Sequence, residues 1–136
     1  MDGLITAIQD AIRTIDGIRE PDVFLSPEPD VIPQSAGFPC IGIKDGRVVR
    51  SELMGGVTEL TMDVDIIIYE RVAREEAAIR NVFALTGKVH AALDDNLLGD
   101  YVRDVVPGNE DPIRLMYREK ALILRKIISY QYFREE

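Results

Sequence analysis

The amino-acid sequence predicts an α+β fold, a mostly antiparallel sheet with two main helices packed on it. Three observations carry that prediction. Two segments repeat apolar residues at helical spacing, and a long segment between them alternates apolar with polar residues. The order is therefore helix, hairpin strands, helix, terminal strands, which suits helices layered on a sheet. The 136 residues match one domain spanning 1–136, and no repeat or low-complexity segment divides them.

The first helix follows from Leu4, Ile5, Ile8, Ala11, Ile12 and Ile15, which form one apolar stripe. Asp2 is expected to cap its start and Gly17 to end it. Residues 19–39 contain Pro21, Pro27, Pro29, Pro33 and Pro39, so they predict an extended surface connection with a short strand at Asp22–Leu25. Phe38–Ile43 and Val48–Leu53 read as strands joined by a two-residue hairpin at Asp45-Gly46, with a break at Gly55-Gly56. Val57–Tyr69 is a long strand. Leu60, Met62, Val64, Ile66 and Ile68 point to one side; Glu59, Thr61, Asp63 and Asp65 point to the other. Ile67 and Tyr69 predict that its last third is covered on both faces.

The second helix is expected from Arg74 to Asp94, burying Ile79, Val82, Phe83, Thr86, Val89 and Leu93. Gly87 in its interior suggests close packing or a local bend. Leu97–Val106 reads as a loop or short strand, and Pro107–Pro112 as a turn. Ile113–Phe133 reads as two strands broken near Glu119-Lys120. Helix competes for Ala121–Tyr130, but Ile123, Ile127, Ile128 and Tyr130 favour strand.

Composition excludes several functions. One Cys rules out an internal disulfide or thiolate cluster, and one His rules out a multi-His metal site within one chain. A net charge of −8, from 24 acids against 16 Lys and Arg, argues against general polyanion binding. The start lacks the basic, apolar pattern of an export signal, and no apolar run approaches the ~20 residues of a membrane span. Synthesis in a reducing cytoplasm is expected.

Asp63 and Asp65 place two carboxylates about 7 Å apart on one strand face, a pair that can bind Mg²⁺, yet no phosphate loop accompanies them. Gly55-Gly56 lacks the Lys-Ser/Thr of such a loop. Asp94, Asp95, Asp100, Asp104, Glu110 and Asp111 crowd one stretch without calcium-loop spacing. A solvated acidic face is the simpler reading; an electrostatic contact is the sharper one. His90 and Cys40 read as core residues, since no nucleophile pattern accompanies them. Arg114, Arg118, Lys120, Arg125, Lys126 and Arg134 make the C-terminal part basic, interleaved with Tyr117, Tyr130 and Tyr132. An acidic stretch followed by a basic one suits contacts between copies better than base stacking. No enzyme signature emerges, and no cofactor is expected.

The strand Leu60–Arg71 leads into an Ala/Val-containing helix. That helix ends in Ala91-Ala92-Leu93-Asp94-Asp95-Asn96-Leu97-Leu98-Gly99-Asp100-Tyr101-Val102. This arrangement resembles the tail terminator (tail completion) proteins of long-tailed bacteriophages, and the N-terminal helix, Pro-rich connection and length agree with it. The resemblance implies a tail-terminator-like fold and a hexameric ring that caps the tail tube, stops its polymerisation and presents a surface for head-tail joining. The implied partners are further copies of the chain, the tail tube protein and head-tail connector or neck proteins; the implied location is the host cytoplasm during assembly, then the virion. It implies no catalytic residues. A closed ring needs two complementary surfaces, so Asp63, Asp65, Asp100 or Asp104 is expected to meet Arg118, Arg125 or Lys126 of the adjacent subunit, or to line the ring. Rival readings are a head-tail connector or neck subunit, a small Mg-dependent enzyme using Asp63 and Asp65, and a monomeric binding module.

Overall fold

A computed structural model describes residues Met1–Glu136. Helix α1 (Asp2–Arg13) buries Leu4, Ile5, Ile8 and Ile12, the apolar stripe expected of it. Asp2 does not cap it: Met1 holds that position, and Asp2 lies in the first turn, where its charge favours the exposed amide ends. Gly17, at φ +88°, turns the chain after the helix. A short 3-10 turn (Glu20–Asp22) then feeds β1 (Val23–Leu25).

The remaining elements are β2 (Cys40–Glu52), β3 (Thr58–Arg71), α2 (Glu75–Leu93), β4 (Asp104–Glu110), β5 (Arg114–Arg118) and β6 (Ala121–Glu135). They form one sheet in the order β1-β2-β3-β6-β4, and β5 also pairs with β6. Only β1 and β2 run parallel; every other pair is antiparallel. The α+β expectation holds, including two terminal strands broken at Glu119-Lys120.

Two turn expectations are overturned. Asp45-Gly46 does not reverse the chain, because β3 offers 14 residues of continuous partner and β2 pairs with it on both sides of the Asp-Gly step. The pairing shifts between Asp45 and Val48, so the step is a β-bulge. Only glycine fits there: a Cβ on Gly46 would stand 2.7 Å from the Asp63 carbonyl oxygen. The reversal comes at Leu53–Val57, where the Leu53 N–H donates to the Val57 carbonyl at 2.6 Å. Gly55 and Gly56 supply φ of +85° and +78° in that turn. Pro107–Pro112 is likewise no simple turn, since β4 runs through Pro107 to Glu110 with its own register shift. β4 lies at the sheet edge, where a missing N–H is tolerated.

Both helices cover one sheet face and close a core that includes Leu60, Met62, Val64, Ile66 and Ile68. Helix α2 contributes Ala78, Val82, Leu85, Thr86, Val89 and Leu93, with the Thr86 hydroxyl donating to the Val82 carbonyl at 2.7 Å. Phe83 is not part of that stripe; it is 57% exposed. Nor is Gly87 a close-packing point, since nothing lies within 4 Å of a Cβ placed there. On the opposite face, Phe24, Ile32, Cys40, Ile67, Tyr69 and Ile123 form a second cluster beneath the Pro-rich connection. The Tyr69 hydroxyl donates to the Pro29 carbonyl at 2.7 Å, pinning that connection over β3. Asp22 fastens its base: the buried carboxylate accepts from Arg19 at 2.9 Å and from the Gly37 N–H at 2.8 Å. The Arg19 hydrogen bond holds the Asp22 carboxyl below its ordinary range. Ile67 and Tyr69 are thus covered on both sides, as the sequence predicts.

Candidate functional site

The Pro-rich connection covers only one end of the second sheet face and leaves the rest open. Along β3 this open part presents Glu59, Thr61, Asp63 and Asp65, none of them fully buried. Asp63 accepts from the Gln131 side-chain amide at 3.0 Å, and Asp65 from the Ser129 hydroxyl at 2.8 Å. The two carboxylates form part of a groove of about 450 Å³ flanked by the two bulges, Gly46-Arg47 on β2 and Pro107–Asn109 on β4. Each carboxylate is therefore engaged by a neutral donor from β6, and no three His, Cys, Asp or Glu side chains converge as a metal site.

The basic residues proposed from sequence do not share one surface. Arg125 pairs with Asp30 of the connection and stands opposite Tyr69 on β3. Lys126 stands opposite Ile68 and so belongs to the helix side. It is 7% exposed, and its ammonium donates to the Asp111 carbonyl at 2.9 Å. Arg118 lies at the far end of the sheet, in an open groove of about 1200 Å³ with Glu70, Arg71 and Lys120. Burial raises the Glu70 carboxyl above its ordinary range there. Asp104 accepts from the adjoining Val105 N–H at 2.9 Å, and Asp100 takes a left-handed turn position at φ +65°. Within the chain, none of these four acids is hydrogen-bonded to or ion-paired with Arg118, Arg125 or Lys126.

Part of the acidic stretch serves the fold. Tyr130 donates to Asp94 at 2.8 Å, and its oxygen lies 2.5 Å from Nδ1 of His90. Nε2 of His90 lies 3.0 Å from Glu110. His90 therefore ties the end of α2 to β4 and β6 through both ring nitrogens, and is half-buried rather than enclosed in the core. Cys40 is fully buried, as expected, and burial pushes its thiol up to about 12.

Two apolar surfaces were not legible in the sequence. Every residue from Asp45 to Val57 is exposed, so the distal halves of β2 and the 53–57 turn form an arm. Leu53 is 41%, Met54 99% and Val57 38% exposed at its tip. The second surface is an open depression of about 400 Å³ on α2, lined by Glu75, Glu76, Ile79, Arg80 and Phe83. The misread Asp-Gly step hid the first. A one-position error on the helical wheel hid the second, because Phe83 adjoins the buried Val82.

No protein-family model matches the chain. No curated protein matches it either. Among solved structures it is similar in fold to a chain of the "Virion of native gene transfer agent (GTA) particle". The TM-score is 0.50 at 16% identity, over 98% of this chain and 95% of that chain. At that identity the likeness establishes a shared fold across almost the whole of both chains.

Proposed function

We propose that the chain is a structural virion protein, a tail terminator that forms a ring on the tail tube, stops its polymerisation and offers the surface for head-tail joining. The observation that carries this reading is the fold likeness to a chain of a gene transfer agent virion over nearly the full length of both. The tail-terminator-like order of elements supports the finer role. In this reading Asp63 and Asp65 on the open face, with Asp100 and Asp104, meet Arg118 or Arg125 of the neighbouring copy or line the ring. Lys126 is a poor contact because its ammonium is committed to Asp111. The role needs no bound cofactor or reacting side chain. Its partners are further copies of the chain, the tail tube protein and the head-tail connector.

Electron microscopy of tail tube subunits polymerising with the purified chain tests the proposal. Tubes that end in a ring and stop elongating are expected. Tubes that elongate unchanged, with the chain bound to the portal complex instead, would favour the neck role and overturn termination.

A further inference from the structure

We propose that His90, with Asp94, Glu110 and Tyr130, is a pH-operated fastener: protonated, it holds the end of α2 to β4 and β6, and on losing a proton it lets Glu110 go. The device belongs to the fold and stands whether or not the chain is a tail terminator.

Three contacts join these four side chains in a row: Tyr130 to Asp94 at 2.8 Å, Tyr130 to Nδ1 of His90 at 2.5 Å, and Nε2 of His90 to Glu110 at 3.0 Å. Each contact needs one hydrogen between its two heavy atoms. The ionised carboxylates at the two ends bring none, the phenol brings one, and a neutral imidazole brings one. Two hydrogens cannot fill three contacts, so the row is complete only with an imidazolium. The added proton sits on the ring rather than on a carboxylate, because an imidazole is ordinarily the more basic group by about two pH units.

The surroundings favour that charge. His90 lies in the last turn of α2, where the helix dipole attracts a cation. On its own helix Asp94 lies 3.7 Å from Nδ1. From β4 the ring is faced by Glu110, which Asp111 follows, and from β6 by Tyr130. Lys126 and Arg134, the cations on that side of β6, are held elsewhere, at the Asp111 carbonyl and over the Tyr101 ring. Lys88 is two positions away on the helix and so turns from His90.

Exposure decides which contact opens. Tyr130 is 1% exposed, so its oxygen has no water to turn to and keeps both Asp94 and Nδ1. A neutral ring then carries its single hydrogen on Nδ1 and points the Nε2 lone pair at a carboxylate. Glu110, with 44% of its side chain exposed, turns to solvent instead. The contact is present on the acid side of the imidazole titration and is lost as pH rises through it.

Hydrogen exchange of the full chain, followed by NMR at pH 6 and pH 8, tests the device; the chain has one histidine, so no second imidazole responds. The probe is the Asp111 N–H, which donates to the Ile127 carbonyl at 2.9 Å beside Glu110. Its protection, corrected for the intrinsic effect of pH on exchange, is expected to fall at least about fivefold from pH 6 to pH 8. The Arg103 N–H, which donates to the Phe133 carbonyl at 2.7 Å at the other end of β4, keeps its protection. His90→Gln abolishes the difference between the two pH values. Glu110→Gln abolishes it in the opposite sense, because a side-chain amide can donate to Nε2 of the neutral ring, and Asp111 stays protected at pH 8. Equal protection of Asp111 at both pH values in the wild-type chain overturns the proposal, as does a fall shared with Arg103. A Glu110→Gln chain that loses Asp111 protection at pH 8 overturns the hydrogen count on which it rests.

Discussion

Tyr130 and Tyr132 stand two residues apart on β6, are no more than 1% exposed, and differ in one respect. Tyr130 donates to Asp94, whereas the Tyr132 hydroxyl is buried without a partner. A buried, unsatisfied hydroxyl costs about 1–3 kcal/mol, and a satisfied one contributes about 1 kcal/mol. Tyr132→Phe is therefore expected to stabilise the chain by about 1–2 kcal/mol. Tyr130→Phe is expected to destabilise it by a similar amount, since Asp94 and His90 lose their shared partner. Urea unfolding of both variants checks this pair of opposite signs. The sequence shows alternation that turns both tyrosines inward, but not which one finds a carboxylate. That depends on α2 ending with Asp94 within reach of β6.

At the scale of elements, patterns that repeat within one segment were readable, and features created by pairing were not. The stripe of α1 and the alternation of β3 are intrinsic periodicities, and both appear as expected. Asp-Gly is a strong hairpin signal on its own. Here the long pairing with β3 overrides it, because reversing at Gly46 would leave the first half of β3 without that partner. In α2 the error was angular. Ala78 and Leu85 face the sheet, whereas Ile79 and Phe83 lie one position round and escape full burial. Gly87 illustrates the same limit, since a Cβ there meets nothing within 4 Å. Gly87→Ala is expected to add about 1 kcal/mol of stability through helix propensity and a less flexible unfolded chain. A raised melting temperature with unchanged helical circular dichroism is the measurement.

For the whole molecule, burial of neutral acids on both sheet faces makes the fold sensitive to alkali. Burial raises the Cys40 thiol from 9.0 to about 12 and the Tyr69 phenol from 10.0 to about 12. Tyr130 and Tyr132 move in the same direction, chiefly through burial. Between the unfolded and folded values the unfolded chain has lost these protons and the native chain keeps them, so stability falls as pH rises. Cys40 sets the start of the window near pH 9.0, and each group adds a slope of up to about 1.4 kcal/mol per pH unit. Urea midpoints are expected to hold at pH 7–8 and to fall steeply between about pH 9 and pH 12. A Cys40→Ala, Tyr69→Phe double variant should flatten that fall; an equally steep fall would contradict the assignment.

Composition, periodicity and chain order were enough to specify a two-helix, mostly antiparallel α+β chain with no multi-His or thiolate site, because those properties are local or additive. The acidic-then-basic division was also visible, yet it did not define a surface. Only the β3–β6 register puts Asp63, Asp65 and Arg125 on one sheet side and Lys126 on the other, because facing residues share a side and successive residues alternate. The arm tip and the Phe83 depression likewise arise from where strands stop pairing and how a helix is rotated. Such placements depend on contacts between distant segments, and no single segment encodes them.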